Sequence, residues 1–426
     1  MGRSITRRHF VMNSAVGAGA AMLSTRFAGA VQSEGDKIVV GVMGLGRGAG
    51  LAKGFSTNKG SRVKYVCDID DDRIKSGLAD VKNQQSQEAQ GIKDFRKILD
   101  DKDVDALVIA APDHWHGPAT ILACAAGKHV YVEKPASHNA REGELMVEAA
   151  RKHNRVVQLG SQRRSWPKVA EGIERVRKGD IGRVVFSRGW YNNARGPIGR
   201  GKVVPVPAKL DYALWQGPAP ERPYKDNIVH YNWHWIWHWG TGELGNNGIH
   251  SLDLCRWGLG VDYPKRVTSG GGRYHGDDDW ETPDTQTVTY DFGDKFITWE
   301  GQSCIPHGLE GSGFGASFYG DRATMFIDGG GYRIVDQKNK VIERVGGPQG
   351  DATHIQNFIE CIHNGKRPTA DIEEGHKSTL LCHLGNIAQR TGHTLDCDPQ
   401  NGRIFNDREA EKLWSREYRA GWEPKV

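Results

Sequence analysis

A glycine-rich turn between an apolar run and a predicted helix constrains the fold of this chain more than any other feature. Residues 37–43 form a short β-rich run, and Gly44-Leu45-Gly46-Arg47-Gly48-Ala49 follows directly. The turn fits the pattern G-x-G-x-x-A, in which Gly44 makes the tight turn and Gly46 lets the backbone approach a pyrophosphate. Ala49 would allow the helix to pack closely on the strand. The pattern predicts a dinucleotide site at the N-terminus of this helix.

An acidic residue follows the second predicted strand at the distance that such a site requires. Residues 62–67 are apolar and β-rich, and they end in Asp68, 24 positions after Gly44. A carboxylate at this point would accept hydrogen bonds from the adenosine ribose hydroxyls. Asp70, Asp71 and Asp72 come next, and this acidic cluster would repel a 2′-phosphate, so NAD is favoured over NADP. The alternative is that Asp68 only caps the following helix.

Strands and helices continue to alternate, which predicts a doubly wound parallel sheet. Predicted strands at 104–111, 129–132 and 156–159 alternate with helices at about 118–126 and 140–153. Ligands of such sheets bind at the carboxyl ends of the strands. The predicted cofactor-binding residues therefore comprise the glycine turn, Asp68 and two strand ends: Gly44, Leu45, Gly46, Arg47, Gly48, Asp68, Pro112, Trp115, His116, Glu133 and Lys134.

The first 30 residues read as an export signal. Arg7-Arg8 precede His9-Phe10-Val11, a weakly apolar stretch follows, and Ala28-Gly29-Ala30 supplies a small-x-small cleavage site. The pattern predicts export by the twin-arginine machinery to the periplasm or beyond, a route that carries folded proteins with their cofactor. A basic tail without a targeting role is the alternative.

Composition excludes several classes of protein. The net charge is +5, but four arginines and no acid lie in residues 1–30, so the remainder is close to neutral and gives no case for nucleic-acid binding. No apolar run reaches the roughly 18 residues that a membrane-spanning helix needs. The seven cysteines are scattered without a Cys-x-x-Cys pair, which argues against a disulfide framework or a zinc site.

At this point the chain resembles the Gfo/Idh/MocA oxidoreductases, the family of glucose–fructose oxidoreductase and inositol dehydrogenase. The stretches that carry the resemblance are Gly44–Gly50, Asp68, Pro112–His116, Glu133-Lys134-Pro135 and Gly248–Asp253. The resemblance implies an α/β chain: a Rossmann domain at 31–160, then an α+β domain at 161–426 with a large, mostly antiparallel sheet. It also implies a homodimer or homotetramer and a small carbohydrate substrate. Strand-like runs at 183–191, 285–292, 295–300, 323–327 and 332–335 agree with that second domain.

The resemblance also assigns catalytic roles. Lys134 takes the position of the family lysine that lies near the nicotinamide, and His250 that of the histidine that relays the proton of the reacting hydroxyl. Many members carry aspartate four residues before that histidine, where this chain has Asn246. An amide cannot accept a proton as a carboxylate does. Either His250 works with Lys134 or Asn246 only positions the substrate, and His238 or Glu243 could supply the missing titratable group.

An aromatic segment, residues 230–239, reads His-Tyr-Asn-Trp-His-Trp-Ile-Trp-His-Trp. On a helix its three histidines would share one face as metal ligands, but the alternation favours a strand or loop, and no metal is predicted. Trp233, His234 and His238 are instead predicted to contact a sugar. Arg163 could bind an acidic group of the substrate, or form an interdomain salt bridge. The segment Asp211–Pro218 is interpreted as a flap near the site.

Three functions remain open from the sequence. The first is an NAD(P)-dependent oxidoreductase that acts on a secondary hydroxyl of a sugar, polyol or glycoside and keeps its nicotinamide tightly bound. The second is an NAD-dependent glycoside hydrolase that recycles its cofactor through oxidation, elimination, hydration and reduction. The third is a sugar-binding protein with a vestigial nucleotide site, which Asn246 favours and Lys134 and His250 oppose.

Overall fold

Two β-sheets organise the protein, whose computed structural model describes residues 36–426. The export signal predicted for residues 1–30 lies outside the described residues. One sheet has six parallel strands and the other has nine mostly antiparallel strands, which confirms the predicted fold class. No helix within the described part of the chain has the length and apolarity needed to cross a membrane.

The six-stranded sheet is doubly wound, because its strand order reverses around β1: β3-β2-β1-β4-β5-β6. Its central strands are buried along their whole length, as expected for a parallel sheet with helices on both faces. The strands are β1 (Ile38–Met43), β2 (Ser61–Cys67), β3 (Gln90–Ile92), β4 (Ala106–Ile109), β5 (His129–Val132) and β6 (Val157–Leu159), and the helices are α1 (Arg47–Thr57), α2 (Asp71–Lys82), α3 (Arg96–Asp100), α4 (Asp113–Ala125) and α5 (Ala140–Lys152).

Helix α4 begins five residues earlier than predicted. The expectation of a start near Pro118 was wrong, because Pro118 lies inside the helix and Asp113 opens it. Proline cannot donate the hydrogen bond to the carbonyl four residues back, here that of His114. That carbonyl instead accepts a hydrogen bond of 3.0 Å from Arg416 Nη2. A contact 302 residues away therefore satisfies the interrupted turn.

The nine-stranded sheet has the order β14-β13-β12-β11-β7-β10-β9-β8-β15, and only β7 and β10 pair in parallel. Helices cover one of its faces, where the largest apolar core within residues 36–426 lies. The strands are β7 (Val184–Asn192), β8 (Arg266–Gly272), β9 (Thr285–Asp291), β10 (Phe296–Gln302), β11 (Phe314–Gly320), β12 (Thr324–Ile327), β13 (Tyr332–Val335), β14 (Val341–Val345) and β15 (Leu395–Asp396); the helices of this half are α6 (Pro167–Lys178), α7 (Tyr212–Gln216), α8 (Ile249–Leu259), α9 (Ala352–Asn364), α10 (Ile372–Thr391) and α11 (Arg408–Glu411).

Helix α10 contributes to the apolar cores of both sheets and so joins them. The apolar face of α9 packs into the core behind β1 through Ile355, Phe358 and Ile359. Between the sheets, Arg164 pairs with Asp253 of α8 through three hydrogen bonds of 2.8–3.0 Å, with both side chains buried. The carboxyl edge of the six-stranded sheet is thereby fixed against α8.

A long connection between β7 and α8, the covering segment (residues 193–240), runs back over the first sheet. It has its own small apolar core, built largely from Trp215, Trp233 and Trp239. Its backbone pairs with the chain just after β2: Leu210 bridges Asp70, and Asp211 N–H donates to the Ile69 carbonyl at 2.9 Å. The covering segment therefore lies against the edge where Asp68 ends its strand.

Candidate active site

A cavity of about 440 Å³ lies at the carboxyl ends of the parallel strands. One wall comes from the turns after β1, β2, β4 and β5, and the facing wall comes from the covering segment and Asn246. The lining residues include Gly44, Gly46, Arg47, Asp68, Arg73, Asp113, Trp115, His116, Glu133, Lys134, Leu214, Trp215, His230, Tyr231, Trp233, His234 and Asn246.

The glycine turn forms a cradle that side chains would fill. Gly44 has φ of +86°, and a Cβ there would lie 2.6 Å from the carbonyl oxygen of Ala110, so only glycine fits the turn. Gly46 is exposed at the N-terminus of α1, where free amides favour an anion. The prediction that Ala49 provides the close helix–strand contact was wrong. Gly48 is the buried residue, and a Cβ on it would lie 3.2 Å from Val42 and Ala110.

Asp68 lies at the cavity beside this turn. Its Oδ2 accepts the Leu45 N–H at 2.7 Å and its Oδ1 accepts the Asp70 N–H at 3.1 Å, so the carboxylate is fixed but still lines the cavity. Arg73 also lines the cavity, with Nη1 3.9 Å from Asp68 Oδ2. The glycine cradle, the helix N-terminus and this carboxylate are the set of groups that a dinucleotide requires.

Glu133 and Arg47 form a charged pair that lines the cavity. Glu133 is buried after β5, and its Oε1 lies 3.2 Å from Arg47 Nε. Burial raises the pKa of Glu133, and the Arg47 charge opposes that shift. Arg47 also donates to Asp351 Oδ1 at 2.7 Å, which ties the glycine turn to the start of α9. Arg47 thus presents its cation where a pyrophosphate would lie.

Lys134 and Asn246 are brought together although 112 positions separate them. Lys134 Nζ donates to the Asn246 backbone carbonyl at 2.7 Å and to its Oδ1 at 3.0 Å. Asn246 lies in a single wide turn, Leu244–Gly248, directly before α8. Burial lowers the pKa of Lys134, while the nearby carboxylates, led by Glu133, act in the opposite direction. Of the predicted catalytic residues, these two are in direct contact.

The start of α4 supplies buried polar groups beside Lys134. Asp113 accepts a hydrogen bond of 2.6 Å from Thr241, and its burial raises its pKa. His116 has Nδ1 2.6 Å from the Pro135 carbonyl and Nε2 2.8 Å from the Ala111 carbonyl, so its ring fixes the turn around Lys134. Trp115 donates to the Trp215 carbonyl at 2.9 Å, which ties α4 to the covering segment.

His250 and Arg163 lie behind the cavity wall. In the described chain neither residue belongs to the cavity lining. Burial lowers the pKa of His250 well below its usual value, and the charges of Arg163 and Lys134 lower it further, so the imidazole is neutral. The Arg163 guanidinium stacks 4.1 Å over Phe314, and burial lowers its pKa to about 10. The interdomain salt bridge considered for Arg163 is formed by Arg164.

The aromatic segment is a loop with a single 3-10 turn, Asn232–Trp235. Trp233 and His234 reach the cavity, whereas His238 contacts the Pro220 carbonyl and does not. His234 stacks on Trp233 at 3.6 Å between centroids, and its Nδ1 donates to the Tyr231 carbonyl at 2.6 Å, which leaves Nε2 as a hydrogen-bond acceptor. Burial lowers the pKa of His234 to about 3. Across residues 36–426 no cluster of side chains has the composition and spacing of a metal site.

Not every residue that supports the cavity wall could be recognised from the sequence. Leu214 and Trp215 belong to the stretch interpreted as a flap, and they line the cavity. Arg195 was missed entirely: it binds Glu243 with Nε 2.6 Å from Oε2 and Tyr231 at 2.9 Å. A lone arginine after a strand carries no local signal, because its partners lie 48 and 36 positions away.

Two family models match the chain. The Gfo/Idh/MocA model described as oxidoreductase family, NAD-binding Rossmann fold, matches residues 38–161. The companion model described as oxidoreductase family, C-terminal alpha/beta domain, matches residues 190–424, more than half of the chain.

Curated relatives have lower coverage. Levoglucosan dehydrogenase of Pseudarthrobacter phenanthrenivorans is 37% identical over 98 residues, 23% of this chain and 25% of that protein. The scyllo-inositol 2-dehydrogenase (NAD(+)) of Bacillus subtilis is 26% identical over 349 residues, 77% of this chain and 86% of that protein. Glycosyl hydrolase family 109 protein 2 of Shewanella sp. (strain ANA-3) is 33% identical over 127 residues, 29% of this chain and 28% of that protein. The chain thus spans only about a quarter of the length of the first of these relatives.

Solved structures share the fold. Levoglucosan dehydrogenase in complex with NADH and levoglucosan superposes with a TM-score of 0.65 at 17% identity, over 84% of this chain and 99% of that one. Aldose-aldose oxidoreductase from Caulobacter crescentus, complexed with glycerol, superposes with a TM-score of 0.65 at 20% identity and the same coverage. At these identities the likeness establishes the fold.

Proposed function

The chain belongs to the Gfo/Idh/MocA oxidoreductase family and carries its NAD-binding Rossmann domain, and on that premise we propose that it oxidises a secondary hydroxyl of a sugar, polyol or glycoside. One observation carries the proposal. Lys134 Nζ, held by two oxygens of Asn246, lines the same cavity as the glycine turn and Asp68. A proton-accepting group and a dinucleotide cradle therefore face one space.

The residues that would hold the cofactor are those of the cradle. Gly44 and Gly46 leave room for a pyrophosphate, Arg47 supplies a cation, and Asp68 supplies an acceptor for ribose hydroxyls. Bound there, NAD supplies the acceptor for a hydride from the carbinol carbon. Loss of hydride from that carbon requires a group that takes the hydroxyl proton.

We assign Lys134 as the group that accepts this proton. In its amine form its two N–H groups donate to the Asn246 carbonyl and Oδ1, which leaves the nitrogen lone pair free for a substrate hydroxyl. Burial lowers the pKa of Lys134 and so makes this form more accessible near neutral pH. His250, neutral and close to Lys134, is assigned the relay of the proton. His234 Nε2 and the Trp233 ring are assigned contacts to the substrate, whereas Arg163, which does not line the cavity, is assigned none.

The test compares Lys134→Met with wild type. The reduction of bound NAD is followed by nicotinamide fluorescence over a panel of sugars, polyols and glycosides. The variant is expected to bind NADH normally and to lose turnover by at least about 100-fold. Lys178→Met, on an exposed ion pair with Glu174, is the matched control and should match wild type. Normal turnover by Lys134→Met would refute the assignment, and a wild type inactive on the whole panel would favour the sugar-binding alternative.

A second function, cofactor-recycling glycoside hydrolysis, is favoured by the covering segment. This segment forms one wall of the cavity, and two of its side chains bind acidic residues that follow Asp68. His230 Nε2 lies 3.0 Å from Asp70 Oδ2, and Lys209 Nζ lies 2.6 Å from Asp72 Oδ2. Release of a bound dinucleotide on this side would break these contacts. A retained cofactor must be regenerated within each turnover, and the relative in glycosyl hydrolase family 109 supports that alternative.

NAD content tests whether the cofactor is retained, as the recycling function requires. Protein purified without added nucleotide is denatured, and the released NAD(H) is assayed against protein. About one mole per mole would support retention and lead to a glycoside panel in deuterated solvent, where recycling incorporates deuterium next to the oxidised carbon. Empty protein would exclude recycling and leave a dehydrogenase that exchanges its cofactor.

Export and self-association complete the proposal. We assign residues 1–30 to twin-arginine export into the periplasm, tested by fractionation of Arg7→Lys/Arg8→Lys, which should stay in the cytoplasm. We assign a dimer or tetramer contact to the uncovered face of the nine-stranded sheet, where Phe186 stacks on Tyr319 at 5.1 Å and lies near the exposed Phe296. Light scattering of Phe296→Glu should report a smaller particle.

A further inference from the structure

Glu243 is a buried carboxylate that the proposed reaction leaves without a role. Only 3% of its surface is exposed, and it does not line the cavity. Its Oε2 accepts from Arg195 Nε at 2.6 Å and from Ser303 Oγ at 3.1 Å. Its Oε1 accepts from Asn247 Nδ2 at 2.5 Å and from Asn246 Nδ2 at 3.4 Å. With both oxygens occupied and a guanidinium attached, Glu243 is not placed to exchange a proton with a substrate.

The Asn246 amide lies between two groups of opposite charge. An amide accepts only at its oxygen and donates only at its nitrogen. With Nδ2 toward Glu243, Oδ1 faces Lys134 Nζ at 3.0 Å. The flipped amide would place its N–H groups against the Lys134 donors and its oxygen against the Glu243 carboxylate. Both contacts would be repulsive, so the carboxylate selects the orientation that binds Lys134.

We propose that Glu243 is a positioning residue, which holds the Asn246 amide so that Oδ1 and the backbone carbonyl both face Lys134 and which thereby sets the direction of the Lys134 nitrogen. The inference rests on the proposed function only for the catalytic role that it assigns to Lys134. The arrangement runs from Arg195 through Glu243 and Asn246 to Lys134. An amide thus transmits the effect of a buried carboxylate to the cavity.

The charge of Glu243 also acts on Lys134, and the other groups that face this lysine fix the expected direction. Burial lowers the pKa of Lys134, and Glu133, Asp113 and Glu243 oppose that shift. Removal of the Glu243 charge therefore lowers the pKa of Lys134 further. The remaining ionisable neighbours are Arg47, which lowers it too, and the histidines His116, His234 and His250, whose own pKa values are lowered by burial.

The experiment measures when the Lys134 amine becomes nucleophilic. Full-length protein is labelled with trace acetic anhydride across a pH series, and the acetylated Lys134 peptide is quantified by mass spectrometry. Glu243→Gln is expected to move the labelling midpoint down by about one pH unit. Ser303→Ala is the matched control, because it removes a contact to the same carboxylate but leaves its charge, and its midpoint should not move. Glu243→Asp keeps the charge, so its labelling midpoint should lie closer to that of the wild type than to that of Glu243→Gln.

A second pair of variants tests the orientation without relying on the stability of Glu243→Gln alone. Asn246→Asp would place a carboxylate about 3.4 Å from Glu243 Oε1. Its unfolding midpoint in urea should therefore fall in the wild-type background and recover when Glu243→Gln is added. Equal effects of Asn246→Asp in both backgrounds would overturn the proposal, as would an unmoved labelling midpoint in Glu243→Gln. A protein that passes both tests but oxidises no sugar or polyol refutes the proposed function alone.

Discussion

The substitution Gly46→Ala is expected to weaken cofactor binding while leaving the stability of the free protein nearly unchanged. In the free protein a methyl group at this position meets only the end of the Arg73 side chain, at 3.3 Å, and the backbone φ of −71° lies outside the left-handed region. A phosphate oxygen that accepts a bond from an adjacent amide lies about 2.9 Å from that nitrogen, whereas a carbon–oxygen contact needs about 3.3 Å. The methyl group therefore occupies the space where the pyrophosphate would approach, and it disturbs little else.

The expected loss is in affinity. Displacement of the pyrophosphate by even a few tenths of an ångström weakens its amide contacts, and loss of one such contact is worth about 1.5 kcal/mol, or roughly tenfold in the dissociation constant. The free energy of unfolding of nucleotide-free protein should change by less than about 1 kcal/mol, because the weaker N-cap is offset by the stiffer unfolded chain. Fluorescence titration with NADH and urea denaturation measure the two quantities.

Two neighbouring glycines complete the test. Gly50→Ala, inside α1, meets only the end of Arg47 at 3.3 Å, so it should keep its affinity and gain up to about 1 kcal/mol of stability. Gly44→Ala forces a side chain into φ of +86° and within 2.6 Å of the Ala110 carbonyl, so it should lose about 2–4 kcal/mol of stability as well as binding. Wild-type NADH affinity in Gly46→Ala would refute the placement of the pyrophosphate at this turn.

Three further outcomes are expected. Arg164→Met leaves Asp253, with 3% of its side chain exposed, buried without its cation and should cost about 3–5 kcal/mol in urea denaturation, whereas Arg164→Met/Asp253→Leu should recover most of that loss. Asp68→Ala removes the carboxylate but leaves Arg73, so titrations should show NADPH gaining at least about tenfold on NADH, and an unchanged ratio would remove Asp68 from the ribose site. Burial lowers the pKa of His376 to about 4 and that of His383 to about 3. The unfolded chain therefore binds protons first as the pH falls below about 6.5, and stability should fall by about 1.4 kcal/mol per unit for each histidine, a slope that His383→Gln should reduce.

The parallel sheet could be predicted because its signals are local. Strand β5 at His129–Val132 has the predicted bounds, since a short apolar run between turn residues defines it, and the same holds for β13 at Tyr332–Val335 in the nine-stranded sheet. The start of α4 was misplaced for the opposite reason. A proline inside a helix is tolerated here only because Arg416, from the far end of the chain, binds the carbonyl that the proline leaves free. No pattern near residue 118 contains that information.

Local signals likewise predict the strand-end residues of the candidate site but not the wall that faces them. Gly44, Gly46, Asp68 and Lys134 follow strands of one sheet, and parallel strands bring their carboxyl ends to one edge, so the sequence predicts that they meet. The wall that faces them depends on the covering segment, whose alternating tryptophans are compatible with a strand. In the structure only Trp233 and Trp239 belong to the core of the segment itself, Trp235 stacks on Trp280, and a 3-10 turn carries His234 to the cavity.

The orientation of Asn246 shows what a position alone leaves undetermined. Asn246 lies four residues before His250, where many family members carry aspartate. From its position alone, asparagine in place of aspartate removes a negative charge from the site. The structure places a carboxylate, Glu243, against the other side of the amide and fixes it with Arg195 from beyond β7. The substitution at 246 is therefore interpretable only together with residues 195 and 243. A comparison of relatives at position 246 alone would miss this dependence, because Lys134 responds to the combined charge of residues 195, 243 and 246.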